Sequence, residues 1–273
     1  MSDLHTSSSE RPAAVAGAFY DAKPDVLRRN VEAYLAAVSD IGPAPKAIVV
    51  PHAGFVYSGG VAAAAYARLR ELADSVHRVV LIGPSHRVGF RGLAVPMVRS
   101  FATPLGSVRL DDALRRRALS HGAVIASDRA HQQEHSLEVQ LPFLQSVFTD
   151  FTLLPLVAGD ASPNEVAQVL ELVWGGPETL IVVSTDLSHF HDAATARAKD
   201  AATCQRILAL EPRLVGDEAC GCVGLNGFLV AAALHGLVPR LLDSCNSGDT
   251  AGDPYRVVGY GAFAFYEPDN AIE

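Results

Sequence analysis

Short apolar runs alternate along the chain with segments of helical spacing. Buried strands are predicted where these runs are rich in β-branched residues and end at proline, glycine or polar positions: 47–50, 79–82, 151–157, 180–184, 237–243 and 256–265. Helices are predicted where apolar residues recur every three or four positions: 25–38, 61–72, 111–121, 136–148, 164–174, 193–210 and 223–235. This alternation predicts an α/β fold in which helices return the chain to a mostly parallel sheet.

The chain is organised as one unit in this interpretation. Residues 1–10 are polar and are predicted to form a disordered tail, and residues 11–267 are predicted to form a single domain. No segment between them is rich enough in proline, glycine or serine to act as a linker.

Three of the predicted strands each deliver a histidine just past their ends. His52 follows the run at 47–50, His86 ends the sequence Gly-Pro-Ser-His after the run at 79–82, and His189 follows the third run. Ligands of open α/β sheets bind outside the carboxyl ends of the strands. Three imidazoles gathered there predict a metal site, or a metal site with a base beside it.

Residues near these histidines complete the predicted site. Asp186 lies three positions before His189, where a carboxylate could orient the imidazole and fix its tautomer, so the two are predicted as a catalytic pair with His189 as general base. His52 and His86 are predicted as metal ligands, because two histidines with a carboxylate suit non-haem Fe(II). The predicted substrate pocket adds four residues: Tyr57, Ser85, His135 and Cys245.

Composition and charge exclude several classes of function. The net charge of -8 and the isoelectric point near 5.7 argue against a nucleic-acid partner, which would require clustered lysine and arginine. The longest apolar segment, 224–238, is interrupted by polar residues and falls short of a membrane span. Four cysteines without a regular spacing do not form a disulfide framework, and the acidic N-terminus does not resemble a signal peptide, so a cytoplasmic location is expected.

One further motif invites a hydrolase interpretation. Residues 131–135 read H-x-x-E-H, the signature of inverted zinc peptidases. A pattern of five residues arises by chance fairly often, and this one lies near a predicted helix start. His135 and Glu138 are therefore predicted to line the pocket or cap the helix, and the zinc hydrolase remains a lesser alternative.

Several motifs together resemble a known family. The segments VPHAGFVYSGG, LIGPSH, EHSLEVQLPFLQ, STDLSHF and NSGDTAGDPYRVVGYGAFAF occur in the order typical of the Memo family, whose bacterial members are also called AmmeMemoRadiSam system protein B. The resemblance extends over residues 11–265. It implies a three-layer αβα fold similar to that of class III extradiol ring-cleaving dioxygenases.

The resemblance also implies a mononuclear metal site with His52 and His86 as ligands, and Asp186 and His189 beside it. The third ligand is a carboxylate in the dioxygenases and a cysteine in animal Memo proteins. We expect Asp249 to take this place, with Asp253, Thr250 and Cys245 as alternatives. Fe²⁺ is the expected ion, with Cu or Zn as alternatives.

The implied activity is that of a dioxygenase-like oxidoreductase acting on a small, possibly aromatic, molecule. The rival interpretation is a non-catalytic adaptor that binds a metal or a short phosphopeptide. Fold alone does not decide between them.

Overall fold

The computed structural model describes residues 9–39 and 42–268. Its α-helices are α1 Pro24–Ala36, α2 Phe55–Tyr66, α3 Asp112–Leu119, α4 Asp128–Gln132, α5 Leu141–Val147, α6 Pro163–Val173, α7 Ala193–Leu208 and α8 Cys222–Leu234. Its strands are β1 Glu10–Arg11, β2 Ala47–Val50, β3 Arg78–Pro84, β4 Leu93–Val95, β5 Ser100–Thr103, β6 Gly106–Arg109, β7 Val124–Ala126, β8 Thr152–Ala158, β9 Thr179–Ser184, β10 His189–His191, β11 Val238–Asn246 and β12 Val257–Tyr266.

A nine-stranded mixed sheet forms the centre of the molecule. Its order is β10-β12-β2-β9-β3-β8-β4-β7, with β11 paired antiparallel to β12 along residues 259–266. The central strands β2, β9, β3 and β8 are mutually parallel, whereas β12 and β4 run antiparallel to their central neighbours. A second, three-stranded sheet has the order β1-β5-β6.

Helices cover both faces of the large sheet. Ile48 and Val50 of β2 point into a core shared with α1, α2 and α5, whereas Ala47 and Val49 point into a second core shared with α6 and α8. Strands β3 and β9 divide their side chains between the two cores in the same alternating way. Strands buried on both faces read as continuous apolar runs, which explains the sequence pattern. The predicted three-layer α/β architecture is confirmed.

Most predicted elements occur within two residues of their expected bounds, and two helices differ. Helix α2 begins at Phe55 rather than at residue 61, because Gly59 and Gly60 are helical. A Cβ atom at Gly59 would lie 2.9 Å from the ring of Tyr34, so glycine permits α1 to approach α2 closely. The segment predicted as a helix at 136–148 instead contains a short 3-10 turn, Glu138–Gln140, followed by α5.

The segment that precedes α1 is ordered by a buried carboxylate. Glu138 accepts hydrogen bonds from Arg11 Nη1 at 2.6 Å, from the amides of Ala14 and Val15, and from the hydroxyl of Tyr20. Glu10 and Arg11 pair with β5, so the predicted tail ends before Glu10, and its residues 1–8 lie outside the described residues. In the described part of the chain, no helix has both the length and the apolar character needed to span a membrane.

Candidate metal centre

The three strands that precede the predicted histidines are neighbours in the sheet. β9 lies between β2 and β3, and all three are parallel, so their carboxyl ends meet at one edge. His52 stands two residues beyond β2, and His86 two residues beyond β3. Their ring centroids are 5.2 Å apart, which brings the two predicted ligands together.

His52 is held in a defined tautomer. Its side chain is buried, and its Nδ1 lies 2.9 Å from Ser184 Oγ at the end of β9. The Ser184 hydroxyl donates its hydrogen to the carbonyl of Ser136, and its oxygen also accepts from Gln140 Nε2. Because that hydrogen is already used, Nδ1 of His52 must be the donor to Ser184. The lone pair of His52 Nε2 is therefore available to a metal.

His86 is oriented in the same way by a carboxylate. Its Nδ1 lies 2.9 Å from Glu134 Oε1, and its amide donates to Glu134 Oε2 at 2.6 Å. Glu134 is buried and also accepts from the amides of His135 and Ser136. Burial alone would raise the pKa of Glu134, but the hydrogen bonds from His86 and the backbone outweigh it and lower the pKa to about 2. The ionised carboxylate fixes the Nδ1–H tautomer and leaves Nε2 of His86 free.

Cys220 is the third potential ligand at this edge. Its Sγ lies 3.3 Å from His52 Nε2, and it accepts a hydrogen bond from the amide of Asp186 at 3.3 Å. Gly221, directly before α8, permits this approach, because a Cβ atom there would lie 2.8 Å from the Ser184 carbonyl oxygen. One ligand atom from each of His52, His86 and Cys220 lies within 4.8 Å of the other two. These three residues are called the His52–His86–Cys220 cluster below.

Two members of the cluster, His52 and Cys220, are uncharged near neutral pH before a metal binds. Burial, and then the neighbouring His86, lower the pKa of His52 to about 3, so the imidazole is neutral. Burial, and then the charge of Asp186, raise the pKa of the Cys220 thiol to about 12. Neutral imidazoles can bind a cation directly, whereas the thiol must first lose its proton.

His135 completes a group of three imidazoles. Its ring stacks on that of His86 at 4.7 Å between centroids and meets the His52 ring edge-on at 5.5 Å. Phe19 packs on His135 at 4.7 Å. Burial, and then His52, lower the pKa of His135 to about 4. His135 therefore extends the cluster as a neutral imidazole.

Asp186 and His189 lie beside the cluster, but they do not form the predicted pair. Asp186 Oδ1 accepts from the His52 amide at 2.7 Å, and its other oxygen lies 4.0 Å from His52 Nε2. The tautomer of His189 is set instead by the carbonyl of Leu187, 2.8 Å from its Nδ1. Asp186 thus positions the loop that carries His52, while His189 keeps Nε2 available.

Asp249, predicted as the third ligand, is not in the described groups of residues that could hold a metal together with His52 or His86. One of its oxygens pairs with Arg197, and the other accepts from the Asn246 amide at 3.0 Å. These bonds cap the short 3-10 turn Ser247–Asp249. Thr250, one of the alternatives, donates to the carbonyl of Ser247 within the same turn.

Of the four residues predicted to line the substrate pocket, two line a cavity beside the cluster and two make other contacts. Tyr57 and His135 line a cavity beside the cluster. Ser85 does not offer its hydroxyl to a ring nitrogen, because the hydroxyl donates to the Val88 carbonyl at 2.6 Å. Cys245 lies in β11 opposite Tyr260 and packs on the core.

The H-x-x-E-H motif does not form a peptidase-like set of ligands. His131 is buried, and its Nε2 lies 3.0 Å from the carbonyl oxygen of Ala94, on β4. Among the described residues, the ligand group that contains Glu134 and His135 includes His86 and not His131. The motif therefore contributes Glu134, which orients His86, and His135, which lines the cavity beside the cluster.

A cavity of about 450 Å³ adjoins the cluster. Apolar and aromatic residues line most of it, among them Phe19, Tyr57 and Tyr260. It reaches the cluster through His135 and Asp186, and its rim carries Asp253 and Arg256. This volume lies in the range usual for sites that take small molecules.

Three residues of the site were not found by sequence reasoning. Cys220 was considered only as one of four cysteines without a regular spacing, although a cysteine followed by glycine at a helix start is a usable signal. Glu134 was noted only as part of a peptidase motif. Ser184 is the last residue of the third strand, and its position at the strand end could have marked it.

Fold and site together define a three-layer α/β protein that gathers two histidines and a cysteine at the carboxyl edge of its sheet. The sequence model of the family described as Memo-like protein matches residues 11–264. The chain therefore belongs to the Memo-like family, which confirms the resemblance seen in its motifs.

Relatives and a solved structure agree with this assignment. The chain is 35% identical to a MEMO1 family protein of Thermotoga petrophila, over 92% of this chain and 98% of the relative. It is 33% identical to a MEMO1 family protein of Sulfolobus acidocaldarius, over 93% of this chain and 99% of the relative. The crystal structure of uncharacterized protein JW3007 from Escherichia coli K12 matches with a TM-score of 0.52, covering 78% of this chain and 98% of that one. Its 12% identity supports a shared fold alone.

Proposed function

We propose that the chain binds a single transition-metal ion through the His52–His86–Cys220 cluster. The observation that carries the proposal is the hydrogen bonding of the two imidazoles, whose Nδ1 atoms are engaged by Ser184 and Glu134. Metal-binding histidines are commonly held in this way by a second group, which fixes the ring and leaves the other nitrogen for the ion. The donor atoms are close enough to share one ion. The residues thus fit a mononuclear site.

The donor set favours copper over the Fe²⁺ that Asp249 had suggested. Two imidazoles and a thiolate are the ligands of copper electron-transfer sites, whereas non-haem Fe²⁺ sites use a carboxylate as the third ligand. Asp249 is engaged with Arg197 and Asn246 and does not supply that carboxylate. Zinc also accepts this donor set. Cys220 is therefore the proposed third ligand, and it comes from a different part of the chain than the loop of Asp249.

We propose further that the centre supports oxidoreductase chemistry on a small molecule in the adjoining cavity. A redox-active ion bound there would supply electron transfer and an open position beside the cavity. His135 and Asp186 form the part of the wall nearest the cluster. His189 keeps its Nε2 unengaged and is the candidate for proton transfer.

Metal analysis of protein purified without oxygen tests the site. We expect the wild type to retain a single ion per chain and His86→Ala to lose it with an unchanged circular dichroism spectrum, since His86 lies on a loop and its side chain is 29% exposed. His77→Ala, at an exposed histidine before β3, is the matched control and should retain the ion. Equal metal content in wild type and His86→Ala would contradict the proposed ligand set.

Dioxygen uptake with a panel of small aromatic and aliphatic substrates tests the chemistry. Once a substrate is found, His189→Ala should lower kcat by about 10²- to 10⁴-fold while the metal is retained, as expected for loss of a general acid or base. Loss of the metal in this variant would make His189 a ligand instead. Full metal occupancy without turnover of any substrate would favour the adaptor that binds a short peptide.

A further inference from the structure

An arginine without a carboxylate partner stands at the rim of the cavity beside the metal centre. Arg256 lines the cavity, and its side chain is exposed. Its guanidinium lies 4.4 Å above the ring centroid of Phe190. Among the described residues, no carboxylate lies within ion-pair distance of this group. The positive charge is therefore available to an anion that enters the cavity.

The residue whose ring packs against Arg256 has an unusual backbone conformation. Phe190 has a φ of 65°, in the left-handed region that bulky side chains rarely adopt. Residues held in this region are unfavourable on their own, and they collect at functional sites. Pairing of His191 with Val257 fixes Phe190 beside Arg256, so the exposed ring supports the guanidinium at the rim.

The other charged groups of the cavity leave Arg256 as the place where an anion can bind. Arg256 is the single arginine or lysine among the described residues that line it. Asp253 accepts a hydrogen bond from the Tyr255 amide at 2.9 Å. Asp186 lies at the end nearest the cluster, where its carboxylate accepts a hydrogen bond from the His52 amide at 2.7 Å. The aromatic wall between these ends suits a flat apolar body.

We infer that the cavity takes a small carboxylate with a flat apolar body, with its carboxylate paired to Arg256 and its other end directed to the metal centre. This inference rests on the proposed function and names its class of ligand. A guanidinium binds a carboxylate through two parallel hydrogen bonds. A single cation balances one carboxylate charge, whereas a phosphate dianion would require further donors.

Two chelating probes test the inference in the metal-loaded protein. Benzohydroxamate binds a metal through its two oxygens, and 4-carboxybenzohydroxamate adds a carboxylate at the far end of the ring. By calorimetric titration, we expect the carboxylated probe to bind about 10-fold more tightly to the wild type, as a charge-assisted hydrogen bond implies. Arg256→Gln should abolish this preference without changing the affinity for benzohydroxamate. Arg29→Gln, at an exposed arginine of α1, should retain it.

The outcomes separate this inference from the proposed metal site. Metal content is measured on each sample before and after titration. Equal affinity of the two probes for the metal-loaded wild type, binding of neither, or a preference that survives in Arg256→Gln would each overturn the inference and leave the metal site standing. A cluster that takes up no metal would overturn the proposed function, and the inference with it. Arg256→Lys should restore part of the preference, because it keeps the charge without the planar fork.

Discussion

At the scale of single residues, the identity of the third ligand is open to a direct test. Cys220→Ser should lower metal affinity by more than the roughly 10- to 100-fold that removal of an outer-shell partner costs, because it removes a donor atom itself. Asp249→Ala should leave metal affinity unchanged, since its oxygens are engaged with Arg197 and Asn246. Competition with a chromogenic chelator measures the metal affinity of both variants. Metal loss from the aspartate variant alone would restore Asp249 as the ligand.

His131 gives the folded protein a defined sensitivity to acid. Burial lowers its pKa from 6.5 to about 4, despite the hydrogen bond to Ala94. Between these values the unfolded chain binds the proton and the folded protein does not, so stability decreases as the pH falls from 6.5 to 4 and then levels off. His131 contributes on the order of 3 kcal/mol to this decrease.

Urea unfolding of the metal-free protein at a series of pH values measures this effect. His131→Gln keeps a donor for the Ala94 carbonyl and does not titrate, so its stability should vary less over this range than that of the wild type. His77→Gln, at an exposed position, should follow the wild type. If the free energy of unfolding varies with pH in the same way in the wild type and in His131→Gln, then His131 does not cause the loss of stability in acid.

At the scale of elements, sequence pattern predicted the strands well and the long-range contacts poorly. β2, β3 and β9 are buried on both faces, so continuous apolar runs and their polar ends were sufficient to locate them and the histidines that follow. Helix α2 was predicted six residues too late, because its glycines serve close packing against α1 rather than a turn. Periodicity describes a residue's own element and carries no information on what packs against it.

The same limit applies to the proposed third ligand. Cys220 is separated from His52 by 168 positions, and its approach depends on Gly221 fitting against the end of β9. No local pattern encodes that contact. Asp249 was expected because the resemblance places the third ligand near it and a carboxylate would complete an Fe²⁺ site, but in the structure its carboxylate caps a turn.

The segment before α1 depends on a single buried ion pair. Arg11 and Glu138 are both buried, and Arg11 also donates to the carbonyls of His131 and Glu134. Arg11→Met should lower the free energy of unfolding by about 3–5 kcal/mol, because it leaves the charge of Glu138 in the core without its partner. Denaturant unfolding checks this.

The exposed pair of Arg109 and Asp150 provides the control for that variant. Arg109→Met should change stability by no more than about 1 kcal/mol, as is usual for ion pairs at the surface. A similar small loss in Arg11→Met would show that the backbone amides of Ala14 and Val15 and the Tyr20 hydroxyl satisfy Glu138 without the arginine.

At the scale of the whole molecule, the proposed metal joins parts of the chain that are distant in sequence. His52 follows β2, His86 follows β3, and Cys220 precedes α8, so the three ligands come together only in the folded state. A ligand that binds the folded state alone stabilises it in proportion to the logarithm of its concentration relative to Kd. Metal binding should therefore stabilise the fold as a whole and not only the loops that contact the ion.

The size of this stabilisation follows from the same relation. At a free metal concentration 100 times Kd, the folded state should gain about 2.7 kcal/mol. A chain of this size gains about 2–4 °C in Tm per kcal/mol, so the transition should rise by roughly 5–10 °C. Scanning calorimetry with and without chelator measures the shift, and Cys220→Ser should lose most of it. If the wild type binds metal with no rise in Tm, the ion also binds the unfolded chain, and the cluster is not assembled by folding.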